Sequence, residues 1–186
     1  HPINQGPGAG PIAVREMLGP YLPSPTVEFD GERYRLAYDR PKSIGRVRSF
    51  FGNVGVLIRA YCYIRTYGPE GLRQVSENAV LNANYLLSRV KHILPVPQGD
   101  RCLHEFVATA LKLKTDRGVS AMDIGKRLLD YGFHAPTMSF PVAGTLMIEP
   151  TEAEAKVEID RFCDAMIAIR AEIAQIESGR WSAAES

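Results

Sequence analysis

The sequence predicts an α/β fold whose C-terminal part is a short, mainly antiparallel sheet with covering helices. Three observations carry that prediction. Apolar and polar residues alternate over 27–38, apolar residues recur at helical spacing over 72–91 and 151–176, and two strand candidates, 103–110 and 145–149, are interleaved with the later helices. With 186 residues and 45% hydrophobic content the chain can bury a core.

The first element is a glycine loop, Gly6-Pro7-Gly8-Ala9-Gly10-Pro11, feeding an apolar strand candidate at 12–14. That opening suggests the last strand of a sheet whose other strands belong to a larger fold. An exposed apolar patch around that strand is therefore expected. Pro20, Pro23 and Pro25 make 16–25 an irregular connection. The Asp30-Gly31 pair then marks a turn, with Tyr34, Leu36 and Tyr38 alternating beyond it, so 27–38 reads as a hairpin. Over 39–55 no period survives: Arg40, Lys42, Arg46 and Arg48 surround Pro41 and Gly45, and the stretch ends in Phe50-Phe51-Gly52-Asn53. It is either a site loop or a surface connection.

Two helices follow, 56–67 and 72–91, separated by Gly68-Pro69. Leu72, Val75, Ala79, Leu86 and Val90 fall near one face of the second and assign it to the core. Asn78, Asn82 and Asn84 read as solvated or inter-helix polar contacts. Beyond Pro97 come the strand at 103–110, a helix at 120–131, the strand at 145–149 and a closing helix at 151–176. Ser120 with Asp123 resembles a capping box, and Thr151 with Glu154 has the full pattern. Phe162, Met166, Ile169, Ile173 and Ile176 form one apolar stripe. Gly132 stands where a helix C-cap belongs, leaving 133–140 as a loop or extended segment. The small, polar residues 178–186 are expected to fray.

Composition narrows the function. A net charge of +1, from 22 basic and 21 acidic residues spread along the chain, gives no field for a nucleic-acid partner. No apolar run approaches the roughly 20 residues that cross a bilayer, so a soluble, unexported, cytoplasmic protein is expected. Cys62, Cys102 and Cys163 have no Cys-x-x-Cys spacing, and His1, His92, His104 and His134 are unclustered. Neither a disulfide framework nor a metal site is expected.

Six ordered blocks carry a resemblance to a known family. They are Asp39-Arg40-Pro41-Lys42-Ser43-Ile44-Gly45, Ser49-Phe50-Phe51-Gly52-Asn53, the run at 77–85 (Glu-Asn-Ala-Val-Leu-Asn-Ala-Asn-Tyr), His104-Glu105-Phe106, the run at 126–137 ending Phe133-His134-Ala135-Pro136-Thr137, and Met147-Ile148-Glu149-Pro150-Thr151-Glu152. Together they resemble glycine decarboxylase, the pyridoxal-phosphate-dependent P-protein of the glycine cleavage system. The first block further resembles subunit 2 of the split form of that enzyme. The similarity runs from about Gly6 to Ile173.

That resemblance implies an aspartate-aminotransferase-like fold (fold type I). Residues 1–55 would be the end of the large cofactor-binding domain with linker loops, 56–91 connecting helices, 92–177 the small α/β domain and 178–186 a flexible tail. It also implies an enzyme that decarboxylates glycine and passes the aminomethyl group to the lipoyl arm of the H-protein, with subunit 1 as partner and pyridoxal phosphate as cofactor. In the family the cofactor lysine lies in a His-Lys-Thr motif upstream of the glycine run. Here His1-Pro2-Ile3-Asn4-Gln5 departs from that pattern, and neither Lys42 nor Lys114 matches, so no catalytic residue is assigned. Gly6, Gly8 and Gly10 could present backbone N–H groups to the cofactor phosphate or simply form a tight turn. Arg46, Arg48 and Asn53 could bind the glycine carboxylate or line the lipoyl entry, ordinary salt bridges being the alternative. His134 and Thr137 either face the active site or are locally hydrogen-bonded, and His104 beside Glu105 reads as a satisfied structural histidine. For the chain alone, the competing reading is a non-catalytic pairing module.

Overall fold

The computed structural model describes residues 12–47 and 52–182. They divide into two compact units, 1–68 and 69–186.

In the first unit a 3-10 helix, Glu16–Tyr21, occupies part of the connection that the prolines made irregular. Residues 12–15 are not a strand, although the sequence suggested one at 12–14. Three apolar residues make a strand only where a neighbour completes their hydrogen bonds, and the two-stranded sheet of this unit is closed elsewhere. Ile12 and Val14 are exposed, as the apolar-patch expectation required. That sheet is the hairpin: β1 (Thr26–Phe29) pairs antiparallel with β2 (Tyr34–Ala37), Thr26 opposite Ala37 and Phe29 opposite Tyr34. The Asp30 carboxylate accepts from the N–H groups of Glu32 (3.0 Å) and Arg33 (2.9 Å), and Gly31 takes a φ of +105°, so the turn chemistry is as its sequence demanded.

Helix α1 (Val54–Val90) runs from the first unit into the second and breaks at Gly68, whose φ of +61° and ψ of −176° are non-helical. Pro69 has no N–H to offer the ladder, which accounts for the break at the Gly-Pro pair. In 54–67, Val54, Leu57, Ile58, Tyr61, Ile64 and Tyr67 are all exposed.

The second unit holds the core. Its sheet has the order β3-β5-β4, with β3 (Phe106–Thr109), β4 (Thr137–Met138) and β5 (Thr145–Ile148), all antiparallel. Phe106 lies opposite Ile148 and Ala108 opposite Leu146. These side chains join Leu86, Leu87 and Val90 of α1 in one buried cluster. To it α3 (Ala121–Asp130) adds Ile124 and Leu128, and α4 (Lys156–Glu177) adds Ile159, Cys163, Met166, Ile169 and Ile173. The apolar stripe predicted for the last helix is thus its core face, Phe162 and Ile176 packing at the edge.

Helix ends follow local chemistry. Ser120 caps α3 with a reciprocal box: its Oγ accepts from the Asp123 N–H, and Asp123 Oδ2 accepts from the Ser120 N–H at 2.8 Å. Gly132, at φ +82°, ends that helix. Its N–H donates to Leu129 O and the next N–H, of Phe133, reaches back to Leu128 O, each at 2.9 Å. The box expected at Thr151 does not form. Thr151 has a φ of +59° and its hydroxyl accepts from the Ala153 N–H within a turn, so α4 starts five residues later at Lys156. A short helix, α2 (Leu111–Arg117), is an element that sequence periodicity did not reveal, closed by Gly118 at φ +77°.

Candidate functional site at one end of the sheet

Four of the six blocks that carry the family resemblance have residues in the second unit, and the fold gathers them at one end of its sheet. Beyond the closing pair Phe106–Ile148 the register continues to Glu105, which immediately precedes β3, and Glu149, which immediately follows β5. Side chains alternate along a strand. Glu105 and Glu149 therefore continue the face that carries Val107, Met147 and, across from Met147, Thr137. Because β4 is antiparallel to β5, the chain enters β4 through His134, Ala135 and Pro136 from this same end.

The 77–85 block supplies the frame. Asn84 pairs with the backbone of Cys102 at two points, Oδ1 accepting from the Cys102 N–H at 3.1 Å and Nδ2 donating to the Cys102 carbonyl at 2.8 Å. Nδ2 also donates to Val80 O at 2.8 Å. Asn82 Nδ2 donates to the carbonyls of Thr151 (3.0 Å) and Glu154 (3.2 Å). Asn82 and Asn84, two positions apart and so on different sides of the helix, thereby hold the two loops that flank the sheet end, 101–105 and 150–155. The asparagines contact loop backbone rather than another helix, and Asn78 is exposed. Further along the helix, Tyr85 and Arg89 bind Asp160 of α4 at 2.5 and 3.0 Å, and Lys156 adds a contact of 2.6 Å to the same carboxylate. These partners, Lys156 foremost, hold the Asp160 carboxyl below its usual range.

His104 and Glu105 at this end are less well satisfied. His104 Nε2 lies 3.9 Å from Glu105 Oε2, too far for a hydrogen bond, and neither buried atom has a hydrogen-bond partner among the described residues. The reading of His104 as a satisfied histidine on a strand is corrected on both counts, since β3 begins at Phe106. Burial, with Glu105 and Glu152 as like charges, pushes the Glu149 carboxyl up, while His104 pulls it down. Neither glutamate was singled out from sequence as a site residue, although both stand in the quoted blocks. The available signal was that each acid directly adjoins an apolar strand.

The residues named from sequence are placed as follows. Gly6, Gly8, Gly10 and Arg48 lie outside the described residues. Arg46 is exposed in the first unit. Asn53 heads α1, its carbonyl accepting from the N–H groups of Val56 and Leu57, each at 3.0 Å. The 39–45 block closes on its own unit: Ser43 Oγ donates to Leu22 O at 2.7 Å, and Arg40 donates to Gly19 O and Thr26 Oγ1. His134 is exposed and Thr137 is half-buried in β4, both in the second unit. Two open grooves of about 750 and 920 Å³ occur in that unit, and none of the described site candidates, Arg46, Asn53, His134 and Thr137, lines either.

The described residues do not by themselves build a pyridoxal phosphate site. All six lysines, Lys42, Lys91, Lys112, Lys114, Lys126 and Lys156, are exposed, and Lys91 and Lys156 are engaged by Asp100 and Asp160. None sits in an enclosed cleft where a cofactor aldehyde could be held away from water. Among the described residues no group of histidine, cysteine and carboxylate side chains is arranged to hold a metal ion, and no helix is long and apolar enough to cross a membrane.

Comparison with known proteins gives a consistent answer. A family model described as "Glycine dehydrogenase, C-terminal domain" matches residues 75–186. The chain is 59% identical over 179 residues to a probable glycine dehydrogenase (decarboxylating) subunit 2 from Rhodopirellula baltica, covering 90% of this chain and 36% of that protein. It is 55% identical over 169 residues to the protein of the same name from Halalkalibacterium halodurans, covering 90% and 34%. The chain thus spans about a third of the length of these curated relatives. A crystal structure of glycine decarboxylase (P-protein) of the glycine cleavage system, in inhibitor-bound form, superposes with a TM-score of 0.63 at 19% identity, over 84% of this chain and 38% of that one. That likeness shows the expected fold, an aspartate-aminotransferase-like α/β architecture.

Proposed function

The chain belongs to the glycine dehydrogenase C-terminal domain family, and from that premise we propose that it serves as the C-terminal part of subunit 2 of the enzyme that decarboxylates glycine and hands the aminomethyl group to the lipoyl arm of the H-protein. The observation that carries this reading is the 59% identity to a probable decarboxylating subunit 2 over nearly the whole chain. In the complete enzyme pyridoxal phosphate supplies the electron sink for loss of carbon dioxide. Its lysine belongs to the part of the relatives that this chain does not span, and subunit 1 is the partner.

Within that enzyme the chain's contribution is positional. Gly6, Gly8 and Gly10 are assigned to the cofactor phosphate, whose charge backbone N–H groups without side chains can approach closely. Arg46, Arg48 and Asn53 are assigned to the glycine carboxylate or the lipoyl entry, a guanidinium matching a carboxylate bidentately. His134 and Thr137 are assigned to the lining of the site, carried by the sheet end that Asn82 and Asn84 brace. Domain roles follow the same division: 1–55 completes the large domain, 56–91 connects, 92–177 is the small domain and 178–186 the tail. The exposed apolar side chains of 54–67 are covered in the complete enzyme.

For the chain alone, the exposure of every lysine favours a second reading, a pairing module without turnover of its own. Adding pyridoxal phosphate to the purified chain, reducing with borohydride and mapping peptides tests both readings. No stoichiometric lysine adduct is expected. Stoichiometric labelling of a single lysine, Lys42 in particular, would overturn the assignment of the cofactor lysine to another part of the enzyme.

A further inference from the structure

We propose that the groove of about 750 Å³ between the end of α1, helix α2 and the last turns of α4 is a docking site for an extended acidic segment of a partner protein. Its floor is apolar, built from Ile93, Leu94 and Leu113, and its rim is basic. Lys91, Lys112, Arg117 and Arg170 line it against two acids, Asp116 and Glu177. The surrounding unit has the opposite balance, since residues 69–186 carry more acidic than basic side chains. Two of the cations are already engaged, Lys91 by Asp100 and Arg170 by Glu177, each at 3.0 Å. Lys112 and Arg117, both exposed on α2, have no acid partner among the described residues.

The folding of α2 does not account for that basic rim. None of its seven residues is buried, and no side chain caps its N-terminus. Its first turn holds no acid and instead carries Lys112, where the helix dipole disfavours a cation. Arg117, in the last turn, suits that dipole, and both side chains line the groove. The two stand five residues apart, about 7.5 Å along the helix axis. Alternate side chains of an extended chain lie about 6.6 Å apart on one side, so acids at alternate positions match Lys112 and Arg117 in turn. The side chains between them point the other way and rest on Ile93 and Leu94. Asp116 is the rim acid without a cation of its own among the described residues, and it opposes such a ligand. The groove is open rather than enclosed, a shape that accepts a passing chain and leaves a small anion in contact with water. The site is independent of the role assigned to the chain in the decarboxylase.

The test uses the full chain and a fluorescein-labelled octapeptide of alternating glutamate and leucine, with the same peptide carrying lysine in place of glutamate as the control. Fluorescence anisotropy measures binding, and NMR shifts of backbone amides locate it. The glutamate peptide is expected to bind and the lysine peptide not to, with the shifts falling over 91–95 and 109–117. Added salt should weaken the binding, since the screening length shortens to about 3 Å at 1 M. Lys112→Gln combined with Arg117→Gln should weaken it about tenfold. Asp116→Asn should tighten it, and Lys126→Gln, on α3 and outside this groove, should leave it unchanged. All four altered side chains are exposed, so these variants are expected to fold. A glutamate peptide that fails to bind, a lysine peptide that binds as well, shifts that fall elsewhere, or an unchanged affinity in the double variant would overturn the proposal. So would inorganic phosphate that gives the same shifts at lower concentration than the peptide, which would make the groove a small-anion site. Dilution-dependent shifts of the same amides in the chain alone would overturn it too, and would give the groove to a second copy.

Discussion

Replacing Asn84 by alanine removes the two-point clasp on Cys102 and the bond to Val80. The Cys102 N–H and C=O are part-buried, and each group stripped of its partner in such a place costs about 1–3 kcal/mol when water cannot replace it. Partial access of water lowers the toll. The Val80 carbonyl keeps its helical partner and adds little. The expected loss is therefore about 2 kcal/mol, a shift in Tm of about 8 °C for a unit of this size. Urea unfolding followed by circular dichroism measures it directly, because α1, α3 and α4 report together with the core. An unchanged m-value would show that the denatured state is unaffected. Asn84→Asp, which keeps the acceptor and loses both donors, should be destabilised as well. A loss below about 0.5 kcal/mol for Asn84→Ala, the level of an ordinary surface substitution, would refute the view that this asparagine holds the 101–105 loop.

Further outcomes follow from other parts of the fold. Gly125→Ala sets a methyl group 2.8 Å from Met138 Sδ and 3.3 Å from Ala135 Cβ; the overpacking outweighs the helix-propensity gain and leaves a net loss of about 1 kcal/mol, with NMR shifts concentrated over 134–138. Leu128→Ala, at a position with no exposure, should cost about 2–5 kcal/mol in urea unfolding. Ser120→Ala breaks the capping box on α3 and should cost about 1 kcal/mol by the same assay. The Glu172 carboxylate is held below its usual range, first by Arg127 at 2.8 and 2.9 Å and then by Tyr131. Its stabilisation is present above the ordinary glutamate value and lost as pH falls through the lower folded value. Glu172→Gln should accordingly lower Tm at pH 7, with the difference from the unaltered chain vanishing in acid.

Much of this architecture could be read from sequence because its signals are local. The Asp30-Gly31 turn, the Gly68-Pro69 break, the Ser120–Asp123 box and the Gly132 cap are decided within a few residues of backbone chemistry, and each is found where it was read. The failures come where the decision is not local. The strand expected at 12–14 needs a hydrogen-bonding neighbour, and three apolar residues do not specify one. Thr151 has the residues of a capping box, yet its backbone is left-handed and its carbonyl is claimed by Asn82, 69 positions earlier in the chain. The candidate site divides in the same way. Blocks were recognisable as blocks, but only the register of β3, β5 and β4 places Glu105, Glu149 and the approach to Thr137 at one sheet end. Asn82 and Asn84 look like solvated helix residues until the loops they bind are known.

The most direct test of the functional account is a chimera in which this chain replaces the matching third of the Rhodopirellula baltica relative. The hybrid would be combined with subunit 1, lipoylated H-protein and pyridoxal phosphate, and release of labelled carbon dioxide from carboxyl-labelled glycine would be measured. The account predicts H-protein-dependent release comparable to that of the unaltered relative. A chimera that folds, binds the cofactor and pairs with subunit 1, yet releases no carbon dioxide, would contradict it.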